Sequence, residues 1–184
     1  AGMNCDRELA YAWEAAGAEV KQVHVQTLID QPNLLEECEV FSIPGGFTYG
    51  DDLGAGKILA LEVNSQLGPK LEEFHANGGT IFGPCNGFQV LVQMGLLPGV
   101  AGVSASLTWN ASHQFECRWT RLQVTPALGH ILPANSILPA PSAHAEGQLV
   151  LANENDLEKL RQAGVIAFFY ADANGNPTQN YPDC

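Results

Sequence analysis

Cys85 is the residue of this chain whose surroundings are most typical of a chemical role. It is the centre of Gly83-Pro84-Cys85-Asn86-Gly87, which follows the apolar residues 79–82 and precedes the mostly apolar segment 88–94. A G-x-C-x-G between a strand and a helix is the cysteine form of the nucleophile elbow, in which the flanking glycines permit a tight turn. The turn also leaves Cys85 at a helix N-terminus, where the helix dipole favours the thiolate. We therefore interpret Cys85 as a nucleophile; the alternative is a small, buried apolar cysteine.

Two backbone N–H groups could support this chemistry. A thiolate that attacks a carbonyl-type carbon creates an oxyanion, which needs fixed donors. The elbow supplies the N–H of Asn86, and a second donor must come from a neighbouring strand-to-helix loop. Gly45-Gly46 suits that role, because residues without side chains bring their N–H groups close to a substrate. The alternative for these glycines is an ordinary tight turn.

The histidines give no clear general base. A cysteine nucleophile normally needs a histidine to exchange protons and an acid to orient that histidine. The chain has five: His24, His75, His113, His130 and His144. The first two fall on a strand pattern and a helix pattern, and the next two lie in loops without a companion acid. His144 has Glu146 two residues away, but a loop histidine beside a solvated glutamate is an equally good interpretation.

The elements that must position these residues alternate between helix and strand in the first half of the chain. Asn4 or Asp6 is the expected N-cap of the first helix. The hydrophobic patterns predict helices over 6–17, 57–66, 70–77 and 156–162, and strands over 20–25, 40–43, 79–82, 115–124, 148–151 and 165–170. Such alternation predicts an α/β fold with a parallel, helix-covered sheet, and functional loops at the carboxyl ends of its strands. Gly45-Gly46 and Cys85 should therefore meet at one sheet edge.

Composition limits the class of protein. The length of 184 residues and the lack of a linker predict one domain over 1–184. With 8 Lys+Arg against 20 Asp+Glu, the net charge of −12 argues against a nucleic acid partner or an anionic membrane surface. The five cysteines are scattered and form no CxxC, which favours reduced thiols in a cytoplasm over disulfides or a metal site.

Seven segments of the chain, among them the Cys85 elbow and the Gly45-Gly46 loop, follow one another in a fixed order. In that order they resemble the glutaminase subunits of phosphoribosylformylglycinamidine synthase, which are class I glutamine amidotransferases. The likeness extends nearly end to end. The ordered set is highly specific to this family, whereas the cysteine elbow alone is found in several classes of hydrolase. The matching segments are 1–6, Ile43–Asp51, Leu53–Gly56, Cys85–Gln89, Gly95–Gly99, Asn110–Trp119 and His144–Gly147.

The resemblance implies a flavodoxin-like domain with a mostly parallel sheet and helices on both faces. It implies that Cys85 attacks the carboxamide of glutamine while the N–H groups of Gly46 and Asn86 hold the oxyanion. It assigns substrate binding to three further residues: Gly45, Phe47 and Gln89. Ammonia would pass to the large synthetase subunit in de novo purine biosynthesis. That partner is expected to bind ATP and Mg²⁺, whereas this chain is expected to bind no cofactor or metal; a small accessory subunit is left open.

The chain departs from the family pattern at both ends. Family members have a core strand before the Gly-x-Asn-Cys-Asp segment and a His-Pro-Glu near the C-terminus, which supplies the triad histidine and acid. This sequence has neither, and His144-Ala145-Glu146 aligns with a separate family segment. We therefore expect a truncated chain with little or no glutaminase activity alone. Two other functions stay open: a non-catalytic docking subunit of the same complex, and another cysteine-elbow hydrolase such as a deglycase-like enzyme.

Overall fold

Helices and strands fall into two units in the computed structural model, which describes residues 2–184, and the units divide after Leu97. The helices are α1 (Asp6–Ala15), α2 (Val25–Asp30), α3 (Lys57–Ala76), α4 (Asn86–Gln93) and α5 (Asp156–Ala163). The strands are β1 (Val40–Ser42), β2 (Thr80–Phe82), β3 (Ala105–Thr108), β4 (Glu116–Val124), β5 (Ile137–His144), β6 (Gln148–Leu151) and β7 (Phe168–Tyr170). The expectation of a single domain over 1–184 stays a prediction.

The first unit is built around a parallel strand pair and the long helix α3. Val40 pairs with Thr80 and Ser42 with Phe82 in the β1–β2 ladder. One face of α3 is fully buried, with apolar side chains three to four residues apart, as a helix that covers a core requires. These side chains belong to Leu59, Val63, Leu67 and Leu71, and they form one core with Val90 and Leu91 of α4. The α/β class and the parallel pairing are thereby confirmed.

The predicted strand over 20–25 is wrong. Residues 18–24 are irregular, and α2 begins at Val25. His24 caps this helix, because its Nδ1 accepts the N–H of Gln26 at 3.2 Å. A pattern of valines does not form a strand by itself, because a strand needs a neighbouring strand. Among the described residues, β1 pairs only with β2, so residues 20–25 have no strand beside them.

Two helix predictions in the first unit also need correction. The predicted break between 66 and 70 does not exist, because α3 continues through Pro69 as one helix of 20 residues. Neither Asn4 nor Asp6 caps α1: Cys5 holds the N-cap position without a side-chain hydrogen bond. The Asn4 side chain instead accepts the N–H of Phe47 at 3.2 Å, so it serves the glycine-rich loop and not the helix.

The second unit contains antiparallel pairs. β4 lies between β5 and β7, and β3 pairs with β6. The expectation of a mostly parallel sheet thus extends only to β1 and β2, since parallel pairs need long crossovers and few helices separate the later strands. The prediction over 165–170 narrows to β7. Two strands were not predicted: β3, whose four residues carry too short a pattern, and β5, in which Pro139 and Pro141 weaken the strand signal.

Candidate active site

Two loops leave the parallel strand pair at the same edge of the sheet. Ser42 lies opposite Phe82, and the N–H of Ile43 donates to the carbonyl of Phe82 at 2.9 Å. The chain then enters Gly45-Gly46 on one side and the Cys85 elbow on the other. A Cβ placed on Gly45 would lie 3.1 Å from Cβ and 3.6 Å from Sγ of Cys85, so the backbone of Gly45 borders the thiol directly. The predicted meeting of these loops is confirmed.

Cys85 has the strained backbone of a nucleophile elbow. Its φ of 54° and ψ of −118° lie outside the regions that side-chain-bearing residues prefer, and such a conformation costs about 1–3 kcal/mol. It stands at the N-cap of α4 with its side chain exposed. The alternative of a buried apolar cysteine is therefore wrong. Strain of this kind persists where the surrounding fold imposes it, typically at functional sites.

The flanking glycines act by permitting close approach, not by adopting a left-handed conformation. A Cβ on Gly87 would lie 2.0 Å from the carbonyl oxygen of Ile43, and one on Gly83 would lie 2.7 Å from the carbonyl carbon of Gly87. The start of α4 therefore lies directly against the end of β1. The positive φ falls on Cys85 itself.

The two predicted oxyanion donors are amides without an acceptor among the described residues. In the first turn of α4, the N–H groups of Gly87, Phe88 and Gln89 donate to the carbonyls of Pro84 and Cys85, whereas the N–H of Asn86 has no such bond. In the facing loop, the N–H groups of residues 47 and 48 donate to Asn4 and Asn86 side chains.

Gly46, the residue before these two, carries the other predicted donor. The N–H of Gly46 has no acceptor within residues 2–184, and Gly46 has a φ of 132°. A Cβ at this position would lie 2.5 Å from the backbone nitrogen of Asn4, so only glycine fits. Both donor assignments stay predictions that this pattern of bonding supports.

The side chain of Asn86 ties the elbow to the glycine-rich loop. It is fully buried, and its Oδ1 accepts the N–H of Thr48 at 3.1 Å. Its Nδ2 donates to Oδ1 of Asp51 at 3.2 Å and to Oε1 of Gln89 at 2.8 Å. Asp51 Oδ1 also accepts the N–H of Gly56 at 3.2 Å. The sequence prediction concerned only the N–H of Asn86 and missed this network. The available signal was the residue type, since an asparagine side chain can both donate and accept hydrogen bonds.

The predicted substrate-binding residues lie beside the elbow. Gly45 borders the thiol, and Gln89 accepts from Asn86 one turn into α4. Phe47 has a side chain that is 55% exposed, on the loop that carries Gly46. Their role in binding substrate stays a prediction.

A second cysteine, which the sequence reasoning did not single out, lies at the site. A Cβ on Gly45 would be 3.8 Å from Cβ of Cys5, and the N–H of Cys5 donates to the carbonyl of Gly45 at 3.3 Å. The pKa of the Cys5 thiol is raised, first by partial burial and then by the negative charges of Glu8, Cys85 and Asp6. Cys5 is thus a poorly ionised neighbour of the nucleophile.

No histidine of the first unit is bonded to Cys85 within the described residues. His24 caps α2, and Nδ1 of His75 lies 3.1 Å from the carbonyl oxygen of Gly79. His24 therefore precedes a helix and does not lie on the predicted strand, whereas His75 lies in the last turn of α3, as its helix pattern predicted. The described residues also contain no group of three or more His, Cys, Asp or Glu side chains arranged to hold a metal ion.

His144 has partners of its own in the second unit. Its Nδ1 lies 2.9 Å from Oδ1 of Asn110, and its ring covers Gly147 so closely that a Cβ there would lie 2.1 Å away. Burial, and secondarily the positive charge of Arg118, lower the pKa of His144. These contacts favour a structural role for His144 in holding the turn between β5 and β6.

Comparison with known proteins gives one family. Residues 1–183 match the CobB/CobQ-like glutamine amidotransferase domain. The chain is 45% identical to phosphoribosylformylglycinamidine synthase subunit PurQ of Dehalococcoides mccartyi, over 98% of this chain and 70% of that protein. It is 36% identical to the PurQ subunit of Methanococcus maripaludis, over 98% of this chain and 68% of that protein.

A solved structure is similar as well. The structure of PurLQS from Thermotoga maritima matches with a TM-score of 0.65 and 31% identity, over 83% of this chain and 66% of the matched chain. The present chain thus spans about two thirds of the length of that structure. The match by sequence and the match by fold concern the same group of proteins. The chain therefore belongs to the CobB/CobQ-like glutamine amidotransferase family, and within it to the phosphoribosylformylglycinamidine synthase PurQ subunits.

Proposed function

We propose that this chain is the glutaminase component of phosphoribosylformylglycinamidine synthase, which releases ammonia for the synthetase subunit in purine biosynthesis. The relatives named PurQ support the biosynthetic role. The observation that carries the chemistry is the exposed Cys85 at a strained helix start, facing a glycine loop across one sheet edge. A thiol presented in this way, beside two amides that have no acceptor within residues 2–184, is suited to acyl transfer.

In the proposed reaction, the thiolate of Cys85 attacks the carboxamide carbon of glutamine. The carbonyl electron pair moves onto oxygen, and the N–H groups of Gly46 and Asn86 stabilise the resulting oxyanion. When the oxyanion collapses, the C–N bond breaks, and the nitrogen takes up a proton and leaves as ammonia. Water then hydrolyses the thioester to glutamate and restores the thiol, so that glutamine and water give glutamate and ammonia. The proposal assigns the proton transfers to neither His24 nor His75, whose Nδ1 atoms have partners elsewhere in the fold.

The proposal also includes the partner and the location. Ammonia would pass to the large synthetase subunit, which would bind ATP and Mg²⁺, and a small accessory subunit would complete the assembly. The solved relative from Thermotoga maritima is named PurLQS, which supports an assembly of this kind. A cytoplasmic location fits five free cysteines and a net charge of −12. No helix within residues 2–184 is long and apolar enough to cross a membrane.

A chloroketone analogue of glutamine tests the site directly. The full chain is incubated with the reagent and the modified residue is identified by peptide mass spectrometry. We expect saturable modification of Cys85, protection by glutamine, and no modification at this position in Cys85→Ser. Cys5→Ser is the matched control, since it removes the neighbouring thiol, and it should leave labelling of Cys85 in place.

Two results would contradict the proposal. Equal modification by an analogue that lacks the amino-acid part would point to another cysteine hydrolase. Binding to the synthetase without any modification of Cys85, alone or in the complex, would point to a docking subunit.

A further inference from the structure

The loop that faces the nucleophile has an uncommon backbone. Tyr49, Gly50 and Asp51 have φ values of 52°, 68° and 53°, which makes three consecutive left-handed residues, two of them with side chains. Such conformations persist only where surrounding contacts impose them. The loop is therefore held in place from outside, and its contacts decide where its amides point.

Those contacts come from two helices. The hydroxyl of Tyr49 donates to Glu62 of α3 at 2.5 Å. On the other side, the buried Asn86 of α4 accepts from the N–H of Thr48 and donates to Asp51. The hydroxyl of Thr48 is buried and has no partner among the described residues, so its backbone N–H provides the hydrogen-bonded anchor of that residue.

The position of Gly46 follows from these anchors. Asn4 accepts the N–H of residue 47 at 3.2 Å, and Asn86 accepts the N–H of residue 48 at 3.1 Å. The peptide of Gly46 is thus fixed through the two residues that follow it. One of the two side chains that accept from them belongs to Asn86, the residue next to Cys85. A shift of the Asn86 side chain would move the loop amides relative to the thiol.

We propose that the side chains of Asn86 and Asp51 are positioning residues, which set the Gly46 N–H against Cys85 for oxyanion stabilisation. The inference rests on the proposed glutaminase function. Neither side chain is required to touch substrate. Their role is to hold two preorganised donors in one geometry, and a misplacement of about 1 Å at such a site can lower a rate about 100-fold.

The chemistry of the pair suggests sharp substitutions. In Asn86→Asp, the carboxylate still accepts the Thr48 N–H, but its second oxygen faces Asp51 Oδ1 and Gln89 Oε1. The hydrogen bond to Asp51 becomes a repulsion, and the hydrogen bond to Gln89 is lost. Asp51→Asn keeps an acceptor for both Gly56 and Asn86 and should have a small effect alone. The double variant Asn86→Asp/Asp51→Asn retains a single charge, and its new amide can donate to the carboxylate at position 86 at the cost of the acceptor for the Gly56 N–H. It should therefore recover part of the loss.

Two alkylation rates on the full chain separate positioning from folding. The glutamine chloroketone has a carbonyl oxygen that requires the oxyanion donors, whereas iodoacetamide reports only the reactivity and access of the thiol. For Asn86→Asp we expect the maximal chloroketone rate to fall roughly 10- to 100-fold, with the iodoacetamide rate within about twofold of the unsubstituted chain. The double variant should react several-fold faster than Asn86→Asp. Asp51→Ala, which removes the acceptor at a less buried position, should show the same selective loss and serves if Asn86→Asp does not fold.

Leu71→Ala is the matched control for stability, because it truncates a buried side chain of α3 nine residues beyond Glu62, the residue of this helix that accepts from Tyr49. It should lower the melting temperature without a selective loss of chloroketone reactivity. The inference is overturned if Asn86→Asp or Asp51→Ala reacts with the chloroketone like the unsubstituted chain, if both alkylation rates fall together, or if the double variant shows no recovery. Failure of the proposed function is distinct, since the unsubstituted chain would then not react with the chloroketone at Cys85.

Discussion

Gly87 is the residue that lets the nucleophile approach the sheet. A Cβ there would lie 2.0 Å from the carbonyl oxygen of Ile43, a backbone atom that cannot rotate away. We predict that Gly87→Ala lowers the free energy of unfolding by about 2–3 kcal/mol, because α4 must move off β1. Chemical denaturation followed by circular dichroism measures this value.

Gly95→Ala is the control for the Gly87 substitution. Gly95 has a left-handed φ of 78°, but nothing lies within 4 Å of its Cβ position. Its substitution should cost only the backbone strain, about 1 kcal/mol. A cost at Gly87 no larger than that at Gly95 would contradict the prediction, because it would show that α4 accommodates the added methyl group without moving off β1.

His144 makes the stability of the second unit depend on pH. Burial lowers its pKa below the ordinary value of 6.5, so the folded state favours the neutral ring. The unfolded chain then binds the proton more readily, and stability that is present above pH 6.5 is lost as the pH falls through the folded pKa. We predict a lower melting temperature at about pH 5.5 than at about pH 7.5.

The substitution His144→Gln tests the origin of this dependence. Glutamine keeps an amide donor for Asn110, which lies 2.9 Å from the ring nitrogen, but it does not titrate. The difference in melting temperature between the two pH values should shrink in this variant. An unchanged difference would assign the effect to other groups.

At the scale of elements, α3 contains an internal proline that should lower its stability. Pro69 is exposed inside the helix and removes one backbone hydrogen bond from it. We predict that Pro69→Ala raises the free energy of unfolding by about 1–2 kcal/mol, since the gain in the helix exceeds the entropy that proline removes from the unfolded chain. Gln66→Ala, at another exposed position of α3, should change it far less. A loss of stability in Pro69→Ala would show that the proline relieves a strain elsewhere.

The same helix shows why element bounds could be read only in part from the sequence. The local sequence predicted the elbow correctly, because the glycine spacing over Gly83–Gly87, the strand before it and the helix after it all indicate the same turn. Around Pro69 the local signal favoured a break, but burial of Leu67 and Leu71 on the same face keeps the helix continuous. Tertiary packing thus overrides local propensity.

Other parts of the fold depend on partners that a single segment does not reveal. Val23 and Val25 have the spacing of a strand, but Val20 is three residues before Val23, no described strand lies beside them, and residues 18–24 are irregular. At the site, the backbone donors followed from the elbow geometry, whereas the Asn86–Asp51 bond joins positions 35 residues apart. Pairings of that kind carry no periodic signal, so the network was not predicted.

For the molecule as a whole, the net charge of −12 means that compaction brings like charges together. We predict that raising NaCl from about 20 mM to about 0.5 M increases the melting temperature by about 2–4 °C, because salt screens this repulsion. Differential scanning fluorimetry gives the value. Glu14→Gln/Glu72→Gln, two exposed positions outside the described ion pairs, should be more stable at low salt and less sensitive to it.

A decrease in stability with salt would contradict this account. The exposed ion pairs Lys21–Glu37 and Lys70–Glu73 would lose their attraction on screening. Solvent already weakens exposed pairs of this kind, so we expect the general repulsion to dominate.

At position 85, selection for stability and selection for the proposed activity favour different residues, because the backbone of Cys85 has a positive φ. Glycine at residue 85 would adopt the φ of 54° without strain, and the fold would gain about 1 kcal/mol or more. A lineage that no longer needed the reaction could therefore lose the nucleophile and accumulate a more abundant protein. The proposed nucleophile role thus accounts for a cysteine at this strained position, where folding alone would favour glycine.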